Sequence, residues 1–265
     1  MLAGQPSPPV PAPAWSRDRA SVVTAAILLA IAAGAWVFVV SSSGRSHDGM
    51  AMGSTPPSLV DLAGFVAGWA GMMTAMMLPS ALPMIALYGA IQRNAGPVTQ
   101  GAPVAMFTLV YLALWAATGV PVYLASLLLS GLATEIVPYG VAVVLVAAGA
   151  YQWSPLKHVC LRACRSPLGF LLGHWRAGRR GSVALGWAHA TYCLGCCWAL
   201  MLVLVAAGAM GLPWVLLIAA VVAAEKLLPA GEWTARATGA ALVCLGIAVA
   251  TRPDLVTVLR AGHGM

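Results

Sequence analysis

Trp69-Ala-Gly-Met-Met-Thr-Ala-Met-Met-Leu-Pro-Ser-Ala-Leu-Pro-Met84 lies inside an apolar run from Val60 to Ile91 whose one charge, Asp61, stands near its start. About 20 consecutive apolar residues suffice for a helix to cross the hydrocarbon of a bilayer. This run is longer, so it predicts a membrane helix that is tilted, kinked or extended past the membrane. Pro79 and Pro83 each remove a backbone donor and disturb the turn before them. A break there, opening carbonyls beside the sulfur side chains, is expected.

The rest of the chain agrees with lipid as its solvent. It is 61% hydrophobic and 8% charged, against about 25% charged for a soluble domain. The pattern predicts an all-α, polytopic transmembrane bundle with spans at residues 20–40, 60–91, 103–130, 136–153, 183–210, 213–229 and 235–251. Residues 1–19, rich in Pro and Ala, read as a disordered cytoplasmic tail. Residues 20–251 form a single membrane domain and 252–265 a short tail. The first span has an apolar core too long for a cleaved signal peptide, so an uncleaved anchor is expected.

Basic residues set the orientation. With the N-terminus inside, the inner segments hold Arg17, Arg19, Arg93, Lys157, Arg162, Arg165, Arg176, Arg179, Arg180, Lys226 and Arg236. The outer segments hold Arg45, Arg252 and Arg260. That asymmetry predicts N-in, C-out in a bacterial inner membrane. The net charge of +7 is therefore topological. No continuous basic stripe is present, so a nucleic-acid partner is not expected.

The chemistry lies in sulfur. Met72, Met73 and Met76 share one helical face, with Met77 at its edge. Thioethers are uncharged and soft, suited to Cu(I) rather than to Mg²⁺ or Ca²⁺. Methionine also serves as a flexible packing residue. In the fifth span His189, Cys193, Cys197 and Met201 recur every fourth residue, and Cys196 is three residues after Cys193. Sulfur-rich and oxygen-poor, this set selects Cu(I), with zinc second. Cys193 and Cys196 also read as a redox dithiol, and small thiols pack well between helices. Counted along their helices at 1.5 Å per residue, Cys193 is about 16 Å deep from the inside and Met76 about 24 Å from the outside. The two clusters are thus expected to face each other.

Cys160 and Cys164, one turn apart, lie just inside the fourth span. Arg162 and Arg165 beside them would favour the thiolate, the form that binds metal. A transfer site and a plain amphipathic surface helix fit this segment equally. Glu225 is the clearest intramembrane carboxylate. With Lys226 it either supports a bound cation from behind the ligands or forms an interfacial charge pair. The outer loop His47-Asp-Gly-Met50-Ala-Met52 is a weak candidate for metal capture.

Four motifs taken together resemble a known family. They are Trp69…Met-Met-Thr-Ala-Met-Met-Leu-Pro79, Leu156-Lys157…Cys160-Leu…Cys164-Arg165, Tyr192-Cys-Leu-Gly-Cys-Cys-Trp198-Ala-Leu-Met201 and Glu225-Lys226. Over roughly residues 60–230 the chain is similar to the predicted metal-binding integral membrane proteins of bacteria, formerly a domain of unknown function. That family includes a membrane copper chaperone associated with a bacterial tyrosinase. The resemblance implies copper handling by Met72, Met73, Met76, Met77, Cys160, Cys164, Cys193, Cys196 and Cys197.

The expectation is a membrane protein that binds Cu(I) and either delivers it to a cuproenzyme or moves it across the bilayer. A soluble metallochaperone is a further possible partner. The chain has no phosphate-binding loop of the Gly-x-x-x-x-Gly-Lys-Ser/Thr type, so it would not power transport alone. The rivals are a membrane thiol oxidoreductase using Cys193 and Cys196, and a structural subunit in which the sulfurs only pack.

Overall fold

The computed structural model describes residues 19–43, 58–92, 101–129, 136–206 and 211–256. The N-terminal tail, the His47–Met52 loop and the end of the C-terminal tail lie outside the described residues. The described residues contain ten α-helices: α1 Arg19–Ser43, α2 Leu59–Ile91, α3 Gly101–Ala117, α4 Gly119–Leu129, α5 Val137–Tyr151, α6 Pro155–Arg165, α7 Pro167–His174, α8 Gly178–Ala206, α9 Leu212–Leu227 and α10 Gly231–Thr251.

Three boundaries have a clear local cause. Ser58 caps α2 in a capping box, its hydroxyl accepting from Asp61 N and its own N–H donating to the Asp61 carboxylate. Such a box satisfies two amides the helix cannot. Ser154 caps α6 by accepting from Lys157 N, and Pro155 follows at the first helical position, where its missing N–H costs nothing. Thr118 separates α3 from α4. Its hydroxyl donates to Trp115 O and accepts from Trp69 Nε1 at 3.0 Å, so the first residue of the methionine segment is tied to this break.

The expected break in α2 is absent. The helix runs unbroken through Pro79 and Pro83. A membrane helix tolerates proline when neighbours and hydroxyl side chains re-satisfy the backbone. The carbonyls that lose a helical donor to Pro79 and Pro83 are those of Ala75 and Pro79; Ser80 Oγ and Tyr111 OH donate to Met77 O, in the turn beside Pro79.

Among the described residues, five segments are long and apolar enough to cross a membrane: Val22–Ser42, Leu59–Ile91, Gly101–Leu128, Gly178–Ala206 and Gly231–Thr251. A sixth counts if α5 and α6, which meet at 63°, are one bent span. The chain is a multi-pass membrane protein. The expectation of seven spans goes further than this, because α5 has 15 residues and α9 has 16. At 1.5 Å per residue α9 covers about 24 Å, short of a hydrocarbon core of about 30 Å.

The most buried helices, α2 and α8, form the centre. Helix α1 lies on α2, α3 joins α2 to α8, and α10 pairs with α5. The α5–α10 crossing is close because Gly149 and Gly239 meet there: a methyl group on Gly149 would sit 2.7 Å from Gly239 O. Small residues allow such approach where lipid gives helices no hydrophobic drive to associate. The segment read as the inner loop is helical. Helices α6 and α7 fold back against α8, and α6 also touches α9.

Candidate metal centre

The centre is built on one turn of α8. Cys193, Cys196 and Cys197 occupy i, i+3 and i+4, which places them side by side, and all three are buried. Cys196 Sγ and Cys197 Sγ each donate back to Cys193 O, at 3.1 and 3.0 Å. Those bonds hold the thiols close to the helix.

Helix α6 supplies the next sulfur. Its buried face carries Lys157, Cys160 and Leu161, and Cys164 continues that face. Cys164 Sγ lies 3.9 Å from Cys196 Sγ. The sulfurs of Cys164, Cys193 and Cys196 all fall within 4.8 Å of one another. Three thiolates placed about 2.3 Å from one ion, the length of a zinc–thiolate bond, stand about 4 Å apart in a trigonal plane. The observed spacing suits such an ion. Cys164, read from the sequence as part of either a separate transfer site or a plain surface helix, thus lies beside the cysteines of α8.

Helix α2 reaches the same place through Met77. Its sulfur lies 3.9 Å from Cys197 Sγ and 3.9 Å from Lys226 Nζ. The methionine and cysteine helices thus meet, as expected, but Met77 is the residue facing the cysteines and not the edge of the set. At 100° per residue Met73, Ser80 and Met84 share its side of α2. Met76 and Met72 turn about 100° and 140° away. All five methionines are buried.

The remaining candidates are spread along the axis. Cys160 Sγ rests against Gly195 of α8. His189 is buried one turn before Cys193, stacked on Tyr111 with ring centroids 5.5 Å apart and edged by Phe170. Its Nδ1 has no hydrogen-bond partner among the described residues. Met201 is buried, but eight residues beyond Cys193, about 12 Å along the helix.

Glu225 and Lys226 part company. Glu225 pairs with Lys157 at 2.6 Å, and Gln152 Nε2 donates to its second oxygen at 3.4 Å. Lys226 turns into the sulfur cluster, donating to Cys193 Sγ at 3.0 Å and to Ser80 Oγ at 3.2 Å. An interfacial pair reaching out to headgroups is thereby excluded, since both residues are buried. Nor do the arginines of α6 face the thiols. Arg165 donates to Glu225 O and Pro229 O at the end of α9, both at 2.8 Å, and Arg162 Nε donates to His158 O of its own helix. The cation beside the sulfurs is Lys226.

Three site residues escaped the sequence reading. Tyr111, whose hydroxyl is 3.1 Å from Cys193 Sγ, is a polar handle in a span otherwise read as plain apolar. Lys157 sat in plain view of Glu225 as the lysine a buried carboxylate needs. Gln152 had no signal. A cluster of soft ligands with one ammonium against it, buried in a membrane bundle, is the chemistry of a site that holds a soft cation.

The sequence profile of a family described as PpoB2, copper chaperone, matches residues 66–249. The chain belongs to the PpoB2 copper chaperone family. The match begins within α2 and ends within α10, so it includes every element of the sulfur cluster. Copper is accordingly the metal that a PpoB2 chaperone's three clustered thiols point to. No curated protein and no solved structure matches the chain.

Proposed function

We propose that this chain takes up Cu(I) at Cys164, Cys193 and Cys196 and hands it on to a cuproenzyme, without itself catalysing a reaction. The observation that carries the reading is the group of three thiols within 4.8 Å of one another. Cys197 and Met77 adjoin it as further soft positions, so an ion has neighbours to move to by exchange between sulfurs. Three thiolates around Cu(I) carry two net negative charges, which lipid does not tolerate uncompensated. The Lys226 ammonium, 3.0 Å from Cys193 Sγ, offsets one of them. Glu225 supports the site at a distance, by holding Lys157 and with it α6. The placement that fits is a bacterial inner membrane, N-terminus inside and C-terminus outside, with α5 and α9 as short sixth and seventh crossings.

Copper analysis of protein purified in detergent under reducing conditions tests this. Wild type and Cys244→Ser, whose thiol is exposed and apart from the cluster, are expected to retain copper. Cys164→Ser, Cys193→Ser and Cys196→Ser are each expected to lose most of it. Full copper in all three variants defeats the proposal. A thiol oxidoreductase would instead need Cys193 and Cys196 for disulfide cycling and be indifferent to Cys164.

A further inference from the structure

The face of α6 turned away from the sulfurs borders a cleft of about 360 Å³. Pro155, His158, Val159 and Arg162 form one wall, and Glu232 and Arg236 of α10 form the other. Two guanidiniums and an imidazole thus face one carboxylate. Among the described residues neither arginine pairs with an acid. Arg162 bonds its own helix backbone, and the Arg236 guanidinium lies 5.5 Å over the Trp233 ring.

The surroundings are apolar and open. Trp233 is 71% exposed, Leu156 59% and Val159 50%. The cleft sits where α6 turns 63° from α5, at the end of the bundle that also carries Arg165, Arg176, Arg179 and Arg180. Exposed tryptophan and arginine at helix ends belong at the level of lipid headgroups, and basic pockets between membrane helices on the cytoplasmic side take anionic headgroups. Guanidiniums bind phosphate oxygens through paired, charge-assisted hydrogen bonds. The carboxylate refines the choice. Glu232 would repel a doubly charged phosphate but accept a hydrogen bond from a headgroup hydroxyl.

We propose that the cleft between α6 and α10 binds the phosphodiester headgroup of an anionic phospholipid whose head also carries hydroxyls. The proposal goes beyond the copper reading and needs only the membrane placement, so either can fail without the other. Because the opposite face of α6 carries Cys160 and Cys164, an occupant here also braces the helix that completes the sulfur cluster.

Native mass spectrometry of the full chain, released from nanodiscs containing phosphatidylglycerol and phosphatidylcholine, tests it. Wild type is expected to keep one phosphatidylglycerol under activation that strips phosphatidylcholine. Arg236→Gln is expected to retain it roughly tenfold less, the effect of losing one charge-assisted contact. Arg162→Gln/Arg236→Gln is expected to lose it. Arg179→Gln/Arg180→Gln lowers the net charge equally, away from the cleft, and is expected to keep it. Equal retention by wild type and both cleft variants overturns the proposal. So does a thermal shift in which inorganic phosphate protects the wild type as well as phosphatidylglycerol does, since that marks a site for the free anion.

Discussion

Lys157 and Glu225 are 1% and 2% exposed and meet at 2.6 Å. A buried pair of this kind adds little net stability, but removing one partner strands the other without compensation, at about 3–5 kcal/mol. Lys157→Met is therefore expected to lower the thermal unfolding midpoint sharply in detergent, followed by tryptophan fluorescence. Lys157→Met/Glu225→Met removes both charges and is expected to recover much of the loss. If the double variant is no more stable than the single one, the pair is not the cause. Met77 makes the second argument at this scale. Its sulfur reaches Cys197 and Lys226, while Met72 points to another side of α2. In a competition with a chromophoric Cu(I) chelator, Met77→Leu is expected to weaken copper retention more than Met72→Leu. The reverse order would mean that the ion is held on the far face of α2.

Helix α6 completes the site because nothing keeps it away from α8. At Gly195 a methyl group would lie 2.6 Å from Cys160 Sγ and 3.5 Å from Cys160 Cβ. Gly195→Ala must therefore shift the thiol or the helix, and Cys164 moves where the helix gives way. Copper content is expected to fall as in Cys164→Ser, and Cys164 to become open to maleimide in a Cys244→Ser background. Adding Cys160→Ala vacates the space and is expected to restore copper. No rescue would show that Cys160 binds the ion itself. The C-terminal end of α6 is pinned by Arg165, which donates to Glu225 O in the last turn of α9 and to Pro229 O just past it. A cation is favourable at that helix terminus. A methyl group on Gly231 would collide with the same guanidinium.

Across the whole molecule, helix contacts bring the C-terminal ends of α2, α5 and α9 to the same end as the N-terminal ends of α3, α8 and α10. Tyr88 OH, near the end of α2, donates to Ser182 Oγ near the start of α8 at 2.8 Å. The basic residues of α6, α8 and α10 gather at this end, which is the inner one in the orientation proposed from the charge asymmetry. Ala177→Cys, before α8, and Thr251→Cys, at the end of α10, are both exposed positions at opposite ends. In a background lacking the native cysteines, an impermeant maleimide is expected to label Thr251→Cys in intact cells and Ala177→Cys only after lysis. Labelling of both from one side would remove a crossing between them.

The sequence by itself determined the solvent, the helical class, the family resemblance and the sulfur chemistry, because hydropathy and ligand softness are properties of residue types and need no partner. It also marked Cys193, Cys196, Cys197 and Met77 through spacing along single helices. What only the tertiary structure decided was which helices meet. Cys164 joins Cys193 and Cys196 because α6 folds back on α8 through Gly195. Glu225 chooses Lys157, and Lys226 chooses the sulfurs, because successive residues on a helix point about 100° apart. Contacts between residues distant in the chain depend on how helices pack against one another, and no periodicity within one helix encodes that.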